Sequence, residues 1–180
     1  MILVGHGYGG MVITGTVDRV PERVGHLVYL DVPIPINGQS LLDIAPGVIH
    51  GLRRYVMTID GVELCQPPTL DILPVCGVFD PAMLEWMVPR LTPHPWRCFE
   101  QPLELANQEA LGAIPRSVIA SPLLNSCVDM DELCNLVEGR VWELRTGHDM
   151  MADQARLGRR QARSDHGVAT NKPHPIALVR

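Results

Sequence analysis

The first twenty residues constrain this chain most, because an apolar run, a cluster of glycines and a helix-period pattern follow one another without a gap. Met1–Val4 carries no polar side chain, as expected of a strand buried on both faces. Gly5-His6-Gly7-Tyr8-Gly9-Gly10 interrupts it with a sharp turn. Met11, Val12, Ile13, Val17 and Val20 then recur at a spacing that suits a helix packed on a sheet, and Pro21 fits its end. Val24–Leu30 reads as a second strand ending at Asp31, and Pro33 and Pro35 stop regular structure behind it. Further on, Ser117–Ala120 is a third strand, Met130–Val137 a helix and Arg140–Leu144 a fourth strand, followed by the loop Arg145-Thr146-Gly147-His148-Asp149. Strands alternating with helices predict an α/β fold with a mainly parallel sheet. Between about Asn37 and Ile114 the chain is rich in proline and holds short helical patches such as Pro81–Arg90, which reads as an insertion covering the sheet.

At 180 residues, with 46% apolar and 19% charged side chains, the chain has the makings of one ordinary core. No run of 18 apolar residues exists, so a membrane span is not expected. Met1 opens directly onto Ile2-Leu3-Val4 with no basic segment before it, which argues against a secretory leader. The five cysteines, Cys65, Cys76, Cys98, Cys127 and Cys134, are odd in number and lack a CxxC spacing, so they read as reduced thiols of a cytoplasmic protein. The histidines and cysteines match no zinc-ligand pattern, and no metal is expected. Residues 1–155 hold nine basic and nineteen acidic side chains, and an acidic body does not attract nucleic acid. Residues 156–180 hold six basic residues against Asp165 and show no periodicity, so an irregular tail is expected there.

A strand, a G-x-G-x-G turn and a helix make the setting of the nucleophile elbow, whose pattern is G-x-S-x-G. Its central residue sits at a strained backbone angle, and the outer glycines let strand and helix approach closely. Gly5 and Gly9 occupy the outer positions, and the central position is Gly7. A phosphate cradle is the competing reading, but the turn lacks the lysine of a P-loop, and the acidic residue of a dinucleotide fingerprint is not at its spacing. His6 reads as a packed or hydrogen-bonding residue, since an elbow points only its central side chain at a substrate.

From Leu3 to Leu42 the chain resembles the elbow, helix and next strand of bacterial α/β-hydrolase-fold proteins of the small-ester hydrolase, pyrethroid hydrolase and hydroxynitrile lyase kind. Those proteins read G-H-S-Y-G-G and then V-x-x-R-x-x-x-L-V-Y-L-D. The stretch Arg90-Leu91-Thr92-Pro93-His94-Pro95, with Gln101-Pro102-Leu103, resembles their cap. Trp142-Glu143-Leu144 through Gly147-His148-Asp149 resembles the loop that presents their catalytic histidine.

The resemblance implies an incomplete α/β-hydrolase domain over residues 1–155, with a helical cap inserted at about 37–114. It implies that Gly7 stands at the nucleophile position, His148 at the general base, and the Tyr8 backbone N–H at an oxyanion donor. The family's first strands, with the second oxyanion donor, would lie before Met1. The strand Met1–Val4 would then be an exposed apolar edge open to self-association. Relatives place the triad acid after the strand preceding the histidine strand, where this chain reads Ala120-Ser121-Pro122-Leu123. Asp31 is the substitute, with Asp129 and Asp131 behind it. His148 also reads as a plain loop histidine before a helix that Asp149 caps. Phe79, Trp86, Trp96 and Phe99 either line an acyl pocket or simply pack a lid. The implied ligand is a small apolar ester or similar molecule, and no cofactor is implied, since side chains and water do this family's chemistry. With glycine at position 7 the chain has no oxygen to attack a carbonyl, which leaves an impaired esterase, a ligand-binding pseudoenzyme or a truncated gene product.

Overall fold

A computed structural model of the chain describes residues 1–70 and 73–152. The tail expected over 156–180 lies outside the described residues. The chain opens with strand β1 (Ile2–His6), helix α1 (Gly9–Arg19) and strand β2 (His26–Leu30). A long excursion follows, containing α2 (Leu41–Ile44), α3 (Pro46–Leu52), β3 (Val56–Ile59), β4 (Val62–Cys65), α4 (Pro81–Met87), β5 (His94–Pro95), α5 (Arg97–Glu100) and α6 (Gln108–Ala113). The chain then returns to the sheet through β6 (Arg116–Ala120), α7 (Pro122–Asn125), α8 (Met130–Leu136) and β7 (Val141–Glu143).

The central sheet has the order β1-β2-β6-β7, and every pairing in it is parallel. Ile2 stands opposite His26, Leu27 opposite Arg116, and Val118 opposite Val141. Among the described residues β1 pairs on one side only, and Met1 and Ile2 at its start are exposed. Parallel pairing brings the C-terminal ends of all four strands to one side. The loops after them, at Gly7, Asp31, Ser121 and His148, therefore gather at one edge of the sheet.

Several element ends differ from the sequence reading, each for a backbone reason. β1 runs on to His6, because glycine and histidine pair as well as valine does when only main-chain groups are involved. α1 begins at Gly9, where the Gly10 N–H donates to the Gly7 carbonyl at 3.0 Å and closes the turn. β2 starts two residues later than expected, since Pro21–Arg23 forms a short 3₁₀ turn. The excursion is not helical alone. It carries a three-stranded antiparallel sheet, β3-β4-β5, with Val56 opposite Cys65 and Cys65 opposite His94.

The main core lies between α1, the sheet and the excursion. Val17, Leu27, Tyr29, Val118 and Val137 are fully buried there, joined by Ile34, Leu41, Ile49, Trp96 and Phe99 from the excursion. Burying side chains of this size stabilises the fold by about 1.5–3 kcal/mol each. The Tyr29 hydroxyl is the polar atom most in need of a partner, and it donates to Thr14 Oγ1 at 2.8 Å. Thr14 spends its own proton on the Gly10 carbonyl at 2.8 Å, so both hydroxyls are satisfied in the core. A second apolar cluster, Leu73, Val78, Met83 and Met87, forms within the excursion.

Candidate active site

The corner between β1 and α1 is set by glycine at two places. A Cβ on Gly5 would stand 2.5 Å from the Gly9 carbonyl oxygen, so only glycine lets the helix start this close to the strand. Gly9 itself meets no neighbour beyond its own helix, so the outer glycine that close packing demands is Gly5 and not both. Gly7 sits at φ +52°, in the left-handed region that costs an ordinary residue roughly 1–2 kcal/mol. Its N–H donates to the Leu30 carbonyl at 3.2 Å, which ties the corner to the end of β2.

Asp31 leaves β2 in the same left-handed region, at φ +49°, with its N–H donating to the Ile119 carbonyl at 2.8 Å. That twist turns the carboxylate into the space above the sheet, where it is buried. Ser121, directly after β6, donates its backbone N–H to Asp31 Oδ1 at 2.8 Å. The other carboxylate oxygen accepts from His148 Nδ1 at 2.8 Å. Burial works to raise the Asp31 pKa, but the bonds from His148 and from Ser121 outweigh it and hold the group below the ordinary carboxylate value.

Because Nδ1 of His148 carries the proton shared with Asp31, Nε2 presents its lone pair on the opposite side of the ring. It faces Gly7: a Cβ placed there would lie 3.2 Å from Nε2 and 3.6 Å from Cε1. Apart from the flanking residues, no other atom lies within 4 Å of that point. Position 7 is thus a gap beside an oriented base.

The loop that carries His148 is fastened from two directions. The His148 N–H donates to the Cys76 carbonyl at 2.7 Å, and Gly147 packs so tightly on Gly77 that a Cβ on Gly77 would come within 2.5 Å of the Gly147 Cα. From β1, His6 donates its Nε2–H to the His148 carbonyl at 2.9 Å, with the two rings 4.4 Å apart between centroids. Burial and the neighbouring His148 keep the His6 pKa below the ordinary imidazole value, although the bond to the His148 carbonyl and the nearby Asp149 and Asp31 act the other way. His6 is therefore a neutral packing and hydrogen-bonding residue, as its place beside the central position of the turn suggested.

A cavity of ≈ 320 Å³ opens over Gly7, Tyr8 and His148. Its wall is apolar, formed by Leu41, Ile49 and Leu52 of the excursion together with Phe99 and Leu124. Tyr8 caps the start of α1 and also lines the cavity, so its backbone N–H stands at the positive end of the helix. Three thiols, Cys65, Cys76 and Cys127, line the same space. Burial raises the pKa of Cys65 and Cys76, with Asp149 adding to the effect at Cys76, so neither is a thiolate at neutral pH.

Gly7 and Tyr8, Asp31 and His148 thus come together from three separate places in the chain. Asp129 and Asp131 do not join them. Asp129 caps α8, accepting from the Asp131 and Glu132 N–H groups at 2.9 and 3.0 Å on the surface. Of the four aromatics, Phe99 lines the cavity and Trp96 is buried behind it, 5.5 Å away between centroids. Phe79 and Trp86 are exposed, 70% and 50%, and do not line this cavity. Sequence reasoning missed Ser121 as a carboxylate donor and Cys76 as the anchor of the histidine loop. Both act through main-chain atoms, which no side-chain pattern reveals. Among the described residues no three His, Cys, Asp or Glu side chains converge as a metal would require, and no helix is long and apolar enough to cross a membrane.

No family model matches the chain. A curated relative, a carbendazim hydrolyzing esterase from Nocardioides sp. (strain SG-4G), is 35% identical over 118 residues. That match takes in 59% of this chain and 46% of the relative, so the chain spans about half of its length. Among solved structures, tomato methylketone synthase I in complex with 2-tridecanone superposes with a TM-score of 0.65 at 16% identity, covering 91% of this chain and 69% of that one. A pyrethroid hydrolase from Sphingobium faniae JZ-2 gives 0.56 at 17% identity, covering 92% and 71%. An extracellular α/β-hydrolase from a Paenibacillus species gives 0.57 at 20% identity, covering 86% and 70%. With the parallel sheet, the corner after β1 and the loops gathered at one sheet edge, these likenesses show that the chain has the α/β-hydrolase fold.

Proposed function

We propose that this chain binds a small apolar ester, or a molecule of similar shape, in an esterase-like pocket without forming a covalent acyl intermediate. The observation that carries this reading is the gap at Gly7, directly opposite the free lone pair of His148 Nε2. An esterase of this fold needs a hydroxyl at that point to attack the acyl carbon. Asp31 fixes the base, the Tyr8 N–H supplies an oxyanion donor, and the cavity supplies an apolar bed of a size suited to small ligands. Position 7 itself carries no hydroxyl to act as the nucleophile. Losing the nucleophile of such a triad lowers turnover by about 10⁶-fold.

The same reading accommodates the relatives. One is named as an esterase, and one structural neighbour holds 2-tridecanone, an apolar molecule with a single carbonyl. The outer edge of β1, with exposed Met1 and Ile2, is proposed as a surface through which the chain associates with other strands.

Assay of the chain and of Gly7→Ser on p-nitrophenyl esters tests the proposal, with acyl-protein followed by mass spectrometry after acid quench. The parent is expected to acquire no acyl group. Gly7→Ser is expected to acquire one slowly, because φ +52° strains a serine and His148 must shift by a few tenths of an ångström to admit its Cβ. Robust turnover by the parent through an acylated side chain would overturn the reading.

A further inference from the structure

We infer that the gap at Gly7 is the seat of an external hydroxyl compound, water or a small alcohol, and that the chain transfers acyl groups to it in one displacement with His148 as the base. The inference rests on the binding reading above and adds an activity to it. Three observations carry it together. Nε2 of His148 has its lone pair turned to the gap, because Nδ1 is committed to a buried carboxylate at 2.8 Å. Apart from Gly7 and the flanking His6 and Tyr8, only His148 atoms come within 4 Å of the point where a Cβ would stand. The gap also opens into the apolar cavity where an acyl chain would lie, with Tyr8 lining both. A hydroxyl oxygen in the cavity beside Gly7, which Gly7 and His148 both line, can approach Nε2 to the about 2.6–3.2 Å that a general base needs.

The step balances on these groups alone. Nε2 takes the proton of the external hydroxyl as its oxygen bonds to the acyl carbon, and the carbonyl electron pair moves onto oxygen beside the Tyr8 N–H. The tetrahedral species collapses, the bond to the original alkoxide breaks, and Nε2 returns the proton to that leaving group. His148 ends neutral, as it began, and no bond to the protein is made. Asp31 is a positioning residue in this scheme: it fixes the tautomer and stabilises the transient imidazolium. Cys65 and Cys76 stay protonated and His6 is committed to the His148 carbonyl, so none of these three takes the role.

The experiment follows p-nitrophenyl butyrate with methanol as the acceptor, in the parent, His148→Ala and His148→Gln, and follows binding of 2-nonanone, which has no leaving group. The expected result is p-nitrophenolate release that rises linearly with methanol, methyl butyrate as product, no initial burst, and no acylated protein on quench. Both histidine variants should lose about 10²-fold or more in rate while still binding 2-nonanone. Release equal to the buffer background, or unchanged rates in both variants, would overturn the inference while leaving the binding reading intact, provided 2-nonanone binds. An acylated protein, or no binding of 2-nonanone by the parent, would overturn both.

Discussion

The corner at the end of β1 and the excursion between β2 and β6 build opposite faces of one cavity, and they do so by different rules. The corner is made of backbone. Gly5 is bare because the Gly9 carbonyl leaves no room, Gly7 holds a left-handed angle, and Asp31 holds another. The excursion is made of side chains, with Leu41, Ile49, Leu52 and Phe99 forming a wall on short helices and a small sheet. Chemistry that depends on tenths of an ångström sits on the first kind of structure, and adaptable apolar contact on the second.

The sharpest way to break this contrast is by substitution in each region. Leu27→Ala empties a fully buried position behind the corner and should cost about 2–5 kcal/mol in urea unfolding. Gly5→Ala should cost about 1–3 kcal/mol, because the clash is with backbone that cannot swing aside. Gly51→Ala lies inside α3 with open space around it and an ordinary backbone angle, so the sign reverses. It should stabilise the chain by about 0.5–1 kcal/mol. Equal effects at Gly5 and Gly51 would erase the distinction between the two regions.

The smallest effect is a pH dependence. Burial holds the His6 and His94 pKa values below the ordinary imidazole value of 6.5. The unfolded chain then takes up protons that the folded chain resists, so stability is full above about pH 6.5 and falls as pH drops below it. Asp31 has the depressed carboxylate's profile, adding stability at neutral pH that is lost only as pH falls below the ordinary carboxylate range. Melting temperatures measured from pH 8 to pH 5.5 should decline gently, and His6→Gln should flatten part of the decline. A rise in melting temperature over that range would contradict the assignment of His6 as neutral.

Much of this could be seen in the sequence, and the limits have physical causes. Short runs rich in apolar and β-branched residues marked β1, β2, β6 and β7 to within two residues, even though β1 and β7 lie at the sheet edges with exposed residues. The strand-turn-helix context made Gly7 visible as a special position, the resemblance of the loop at Gly147-His148-Asp149 supplied His148, and Asp31, at the end of the second strand, was named as a substitute acid. The small antiparallel sheet was missed because its strands are two to four residues long, too short for a period to show. One cue was present. Asp60-Gly61 is a hairpin turn pair, and both residues do adopt positive φ, +50° and +78°. The order of Ser121 and Cys76 around the site was out of reach, since their contributions are a main-chain N–H and a carbonyl brought in by tertiary packing.

The most direct test of the central claim asks whether the gap at position 7 truly faces the base. In a protein labelled at glycine and histidine, a strong nuclear Overhauser contact is predicted between a Gly7 Hα and the His148 ring Hε1, since a Cβ in that direction would lie 3.6 Å from Cε1. Absence of that contact, with the His148 ring signal instead unconnected to any residue of the Gly5–Gly10 turn, would contradict the account.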